Sequence, residues 1–218
     1  MAWAEFVGAI AAFFLSHSIP VRPPIRRMLD RSLGSRGFTL AYSALSLGVL
    51  AWLIGATGRA PYVSLWSWAP WQNYVVLAVM VVVCLLLAFS IGKPNPFSFG
   101  GARNDRFDPN APGIVRFFRH PFLIALCIWA FAHVLPNGDL AHVLLFSVFA
   151  AFAVAGQTII DRRKQRQMGS AWSHLWMQAR AAQITISARS LVRLAAALLL
   201  YLMLIWLHPL LFGVSPLP

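Results

Sequence analysis

Two histidines stand at opposite ends of one apolar segment. The run Gly113-Ile-Val-Arg-Phe-Phe-Arg-His-Pro121 leads through residues 122–132 to His133 and then to the turn Pro136-Asn-Gly-Asp139. An ionisable or metal-ligating side chain is costly in hydrocarbon and is usually kept there for a function, so such histidines are candidates ahead of any on a soluble loop. Counted along a helix from the nearest arginines, His17 lies about 7 Å inside Arg22, and His120 sits beside Arg119 at the start of its segment. His133 lies about 20 Å further along than His120 and shares an outer layer with His142 and His208, while His174 falls on a polar segment. Neutral imidazoles facing each other across helices are axial ligands for b-type haem, which hydrophobic bundles hold between inward-pointing side chains. By depth, His17 pairs with His120. The plain alternative is a set of interfacial rings turned toward water, and for His120 a helix start with Pro121 in the first turn, where no amide hydrogen bond is lost.

Other chemistries lack their parts. Glu5, Asp30, Asp105, Asp108, Asp139 and Asp161 are the only carboxylates, and all lie near or beyond the ends of apolar runs, so neither a proton-pumping acid chain nor an all-oxygen metal cage can be built. The sequence has no Walker loop, dinucleotide glycine fingerprint or zincin motif, and no nucleophile elbow supports a Ser-His-Asp hydrolase. Cys84 and Cys127 fall inside apolar runs and predict buried thiols rather than a disulfide framework.

The elements that must position these histidines are membrane helices. The chain is 59% hydrophobic and 11% charged, far from the roughly 25% charged residues of a soluble domain. Runs long enough to cross about 30 Å of hydrocarbon occur near 3–19, 38–57, 72–92, 120–136, 140–160 and 191–212. The fold class predicted is an all-α, polytopic membrane helix bundle of about six transmembrane helices in one integral-membrane domain, residues 1–218. The fourth run is short and reverses tightly at 136–139 into the fifth. The first run carries Glu5 instead of a positive leader and lacks a small-residue cleavage site, so it is read as a helix and not a cleaved signal.

A net charge of +12 invites a nucleic-acid reading, but all of the 18 basic residues except Arg59 fall in three segments, between or at the facing ends of runs one and two, three and four, and five and six. The positive-inside rule then places those segments in the cytoplasm and both termini outward, in contact with anionic headgroups and with no nucleic-acid partner. The cytoplasmic loop 93–119, rich in Pro, Gly and Asn, is predicted to be irregular. The segment 161–190 is predicted as a short helix followed by an amphipathic stretch on the cytoplasmic face. Tyr62, Trp66, Trp68, Trp71 and Tyr74 form an interfacial aromatic belt.

Several motifs in order resemble one family. They are Ser16-His17-Ser-Ile-Pro20 with Arg22, Phe38 and Tyr42-Ser43, Asn95-Pro96, Gly113-Ile114-Val-Arg116 with Arg119-His120-Pro121, and Trp129-Ala-Phe-Ala-His133 with Asn137-Gly138-Asp139. Together they resemble the NnrU family, bacterial membrane proteins associated with nitrite and nitric oxide reduction, which also includes the plant 15-cis-zeta-carotene isomerase, a haem b enzyme. The resemblance implies a multi-pass protein of the bacterial inner membrane, redox-linked, binding haem b through His17 and His133, with His120 as the alternative partner. It implies either a role in denitrification or isomerisation of a hydrophobic polyene, and as partners a hydrophobic small molecule or a redox protein. The isomerase has a cysteine three residues before the second histidine, where this chain has Ala130. Straight helices put His17 and His133 at different depths, so both pairings stay open.

Arg119-His120-Pro121 is also similar to a motif of isoprenylcysteine and phospholipid methyltransferases, which hold S-adenosylmethionine at the cytoplasmic face. In those enzymes an acidic pair follows in the next cytoplasmic helix, and Arg162-Arg-Lys-Gln-Arg-Gln167 offers no glutamate there. A non-catalytic membrane accessory protein is the third reading.

Overall fold

Apolar runs flanked by prolines become helices, because backbone amides and carbonyls in hydrocarbon must be satisfied within the segment. The structure, a computed structural model, describes residues 1–99, 103–184 and 187–218. Residues 100–102 of the predicted loop and 185–186 of the predicted amphipathic segment lie outside the described residues. Among the described residues the chain is all-α, with seven α-helices, two short 3-10 turns and one isolated bridge between Ser64 and Asp139. Two compact units are formed, residues 1–66 with 139–145, and 67–138 with 146–218.

In the first unit, α1 (Ala2–Ser18) packs on α2 (Pro23–Arg59). Phe6, Ala9 and Phe13 recur at helical spacing and form the buried face of α1. Glu5, the one charge in the first apolar run, is answered by the far end of α2: Arg59 Nη2 donates to it at 2.5 Å and Trp52 Nε1 at 3.3 Å. These contacts make the two helices antiparallel. The second apolar run was expected from residue 38, but α2 starts fifteen residues earlier, at Pro23, and is interrupted at Gly34 (φ 71°, ψ 164°). The added first part is polar, and Pro23 and Pro24 start it in the positions where proline costs no hydrogen bond.

In the second unit, α3 (Pro70–Ser90) packs against α4 (Pro121–Val134) and α7 (Ala188–Phe212). Val83, Leu86 and Ala125 are the buried centre of that contact, with Val79, Ile128 and Trp129 around it. Tyr201 donates to the Leu77 carbonyl at 3.2 Å, tying α7 to the middle of α3. Helix α5 (Leu140–Met168) begins in the first unit and continues in the second, running seven residues past Asp161. After Gly169 (φ 58°) comes α6 (Ser170–Ala181), which lies within the segment read as a short helix followed by an amphipathic stretch.

Four helices, α2, α3, α5 and α7, are long and apolar enough to cross a membrane, and only 6–28% of their apolar windows is covered by protein. Such uncovered apolar surface is what a lipid-facing helix presents. The other two predicted runs form α1, of 17 residues, and α4, of 14. The described residues of 93–119, that is 93–99 and 103–119, form no α-helix or strand, with 3-10 turns at Asn104–Arg106 and Gly113–Arg116. Cys84 and Cys127 are free thiols.

Candidate functional site

Pro121 opens α4 and leaves His120 as its N-terminal flanking residue, with backbone angles outside the helical region. That conformation sends the imidazole off the helix axis into a polar cluster. His120 is 2% exposed, its Nε2 lies 2.9 Å from Asp161 Oδ1 and its Nδ1 2.9 Å from Ser98 Oγ. A carboxylate only accepts, so Nε2 carries the proton and the Ser98 hydroxyl donates to Nδ1. Burial pushes this imidazole below its usual range, outweighing the opposite pull of Asp161. Arg119 takes the other side of the same carboxylate, with Nη2 2.8 Å from Oδ2 and Nε 3.1 Å from Oδ1. Its guanidinium also lies over the rings of Trp176 and Trp172, at 5.0 and 5.3 Å, which docks α6 on the cluster.

The loop is held by its asparagines. Asn95 Nδ2 donates to the Arg119 carbonyl at 2.9 Å, Asn95 Oδ1 accepts from Phe97 N–H at 3.1 Å, and Asn104 Oδ1 accepts from Asn95 N–H at 2.8 Å. Phe97, fully buried, meets Phe107, Trp172 and Trp176 edge-on. A shallow recess beside Ser98 is lined by Ser90, Asn95, Phe99, Pro121 and Phe122. With both ring nitrogens engaged, His120 would have to give up Asp161 or Ser98 to ligate a metal.

The other histidines are arranged differently. His17 Nδ1 is 2.8 Å from the Phe13 carbonyl, and His133 Nδ1 is 2.8 Å from the Trp129 carbonyl, each one helical turn back. A carbonyl only accepts, so in both rings Nδ1 carries a proton, and in the neutral form of either ring Nε2 holds the lone pair. His17 lies tilted against Phe13 and edge-on to Tyr42, and His133 lies tilted against Trp129 and Phe146. His17 belongs to the first unit, and His120 and His133 to the second. His142 binds Asp139 at 2.5 Å while Asp139 Oδ1 receives the Ala141 and His142 amides, so this pair caps the start of α5. His208 bonds the Val214 carbonyl at 2.8 Å, and His174 is exposed on α6. No group of three or more metal-ligating side chains occurs among the described residues.

Sequence reasoning passed over Ser98 and Asp161 as site residues. Asp161 had a readable signal, as the lone carboxylate at the end of an apolar run beside four cations. Ser98 had none, because it sits in an irregular loop and meets His120 across 22 residues.

Fold and composition together define a multi-pass, all-α membrane protein. Residues 5–216 match the NnrU protein family, and the chain belongs to it. No curated protein and no solved structure matches the chain.

Proposed function

We propose that this NnrU-family protein is a redox-linked, haem b-binding protein of the bacterial inner membrane, with six spans, both termini outward, and His17 and His133 as the haem ligands. The observation that carries this reading is the shared state of the two imidazoles. A ligating histidine almost always donates its second ring N–H to a carbonyl or carboxylate, which fixes ring orientation and raises the basicity of the coordinating nitrogen. Phe13 and Trp129 supply those carbonyls here, which orients both rings in the way a ligating imidazole is oriented. Trp129 and Phe146, with ring centroids 5.1 and 5.4 Å from that of His133, add flat apolar surface of the kind a porphyrin packs against. His120 is the weaker ligand, for the reason of its two occupied nitrogens.

Haem b, when bound, supplies a one-electron couple. The chain's part is to hold two neutral imidazoles in one tautomer and to keep water from them with aromatic rings. The role is nitrite and nitric oxide reduction or isomerisation of a hydrophobic polyene, as the family resemblance implies. Purified protein is expected to show a Soret band that is lost or strongly weakened in His17→Ala and in His133→Ala but kept in His120→Gln. A folded, colourless protein after haem supplementation would overturn the reading and leave a non-catalytic accessory role, recognised by loss of nitrite or nitric oxide reductase activity in a deletion strain.

A second reading gains from one observation. The acidic pair of the methyltransferase pattern is still missing, but one carboxylate, Asp161, does meet Arg119 and His120. That carboxylate is already bound to Arg119 and to the His120 N–H, so the expected result of titrating S-adenosylmethionine calorimetrically is no heat; saturable binding would favour methyl transfer.

A further inference from the structure

Helix α7 has no acidic residue in its first turn; Arg189 stands there and Arg193 follows one turn on. Cations at a helix N-terminus oppose the macrodipole, and like charges four residues apart repel each other. Arg193 is partly compensated, because its guanidinium donates to the carbonyls of Ala88 and Ile91, at the C-terminal end of α3, the latter at 3.3 Å. The chain then turns at Gly92 (φ 70°) and brings Lys93 to the same place, its N–H bonded to the Ser90 carbonyl at 3.2 Å. Burial, and then Arg193 and Arg189, hold the half-buried Lys93 ammonium below the usual lysine range. No ion pair among the described residues joins any of the three cations to a carboxylate. Arg193 alone would suffice to cap α3. Lys93 and Arg189 add only repulsion, unless an anion sits among them.

The place is also distinctive. The cluster lies where α3 ends and α7 begins, both of them apolar helices long enough to cross a membrane, so it falls at headgroup depth. Exposed Ile91, Leu191 and Val192 adjoin it, at 57%, 63% and 69% exposure, and would lie against acyl chains. The hydroxyls of Ser187 and Ser190, 3.5 Å apart at the start of α7, add hydrogen-bonding groups nearby.

We infer that Lys93, Arg189 and Arg193 form a discrete binding site for a phosphate group at the joined ends of α3 and α7, filled by the headgroup of an anionic phospholipid. The apolar residues beside the cations favour the lipid over a free phosphate ester.

Native mass spectrometry of the detergent-purified full chain tests this, with phosphatidylglycerol and phosphatidylcholine titrated in parallel. Phosphatidylglycerol is expected to be retained at least about tenfold more weakly by Lys93→Gln/Arg189→Gln than by the parent. Phosphatidylcholine should bind weakly and equally to both, and Lys93→Arg should behave as the parent. Arg193 is left in place because it also caps α3. If the double variant does not give a monodisperse peak, Arg189→Gln alone, at an exposed helix position, should show about a fivefold loss. Arg162→Gln/Arg163→Gln removes the same charge elsewhere and should leave binding intact. Unchanged binding in the double variant, or an equal loss in the Arg162/Arg163 control, overturns the site. Displacement of the lipid by millimolar inorganic phosphate would uphold the site and assign it to a soluble phosphate.

Discussion

Asp161 answers one cation, Arg119, and the N–H of a neutral imidazole, His120, with one carboxylate, and the chain carries few carboxylates. Its side chain is 17% exposed, and Arg119 is 30% exposed. Asp161→Asn keeps the shape but leaves Arg119 and the His120 N–H facing an uncharged group. The expected cost is about 2–3 kcal/mol, the scale of hydrogen bonds to charged groups with low exposure. Asp30→Asn breaks only the Arg26 pair, about one-third exposed at both ends (36% and 34%), and should cost less, up to about 1 kcal/mol. Thermal unfolding in detergent compares the two; equal shifts would deny Asp161 its structural role. His120 adds a pH term. Its folded-state pKa lies below the unfolded value near 6.5, so the unfolded chain takes up the proton first as pH falls. Stability from neutral His120 is therefore complete above about pH 6.5 and is lost as pH drops through that value toward the lower folded pKa. The unfolding midpoint should fall between pH 7 and 5, and His120→Gln should flatten that fall while lowering the midpoint at pH 7.

At the level of elements, the apolar runs were legible because hydrocarbon leaves a backbone few choices. All six reappear as helices, with ends within a few residues except where a polar extension continues the helix, as Pro23–Leu33 does for α2 and Arg162–Met168 for α5. Polar extensions carry no hydropathy signal, so their helicity is invisible to a hydropathy reading. The Arg119, His120 and Asp161 cluster was half legible: the motif around Pro121 fixed two members, but the third arrives from 41 residues away through the packing of α5, which no local pattern encodes. Gly34 is the break within α2, at φ 71° and ψ 164°, a region open almost only to glycine. Gly34→Ala should cost about 1–3 kcal/mol, whereas Gly48→Ala, in regular helix with nothing within 4 Å of the added carbon, should be neutral or stabilise by up to about 1 kcal/mol. Thermal midpoints of the two variants check the contrast, and a destabilisation confined to Gly48→Ala would contradict it.

For the whole molecule the open variable is its orientation in the bilayer, and the charges make a definite forecast. Arg59 is the single basic residue outside the three basic segments, and it is paired with Glu5, so the ends of α1 and α2 that meet there carry no net charge from that pair. The energetic preference for keeping Lys and Arg on the cytoplasmic side therefore falls wholly on the three segments. Tyr62, 75% exposed after α2, should lie outside, and Met28, Asn110 and Gln165, all exposed, should lie in the cytoplasm. Single cysteines at these positions distinguish the two faces when intact cells are treated with a membrane-impermeant maleimide. The parent should stay unlabelled, since Cys84 is 1% exposed and Cys127 is partly buried within α4. Tyr62→Cys should label in intact cells, and Met28→Cys, Asn110→Cys and Gln165→Cys only in inside-out vesicles. The reverse pattern would invert the topology. A mixed pattern, with Met28→Cys opposite to Gln165→Cys, would mean that the number of crossings between them is odd and that α4, the one short helix between the two positions, does not span. Because α4 ends with His133, that outcome would also remove one of the two proposed haem ligands from the membrane.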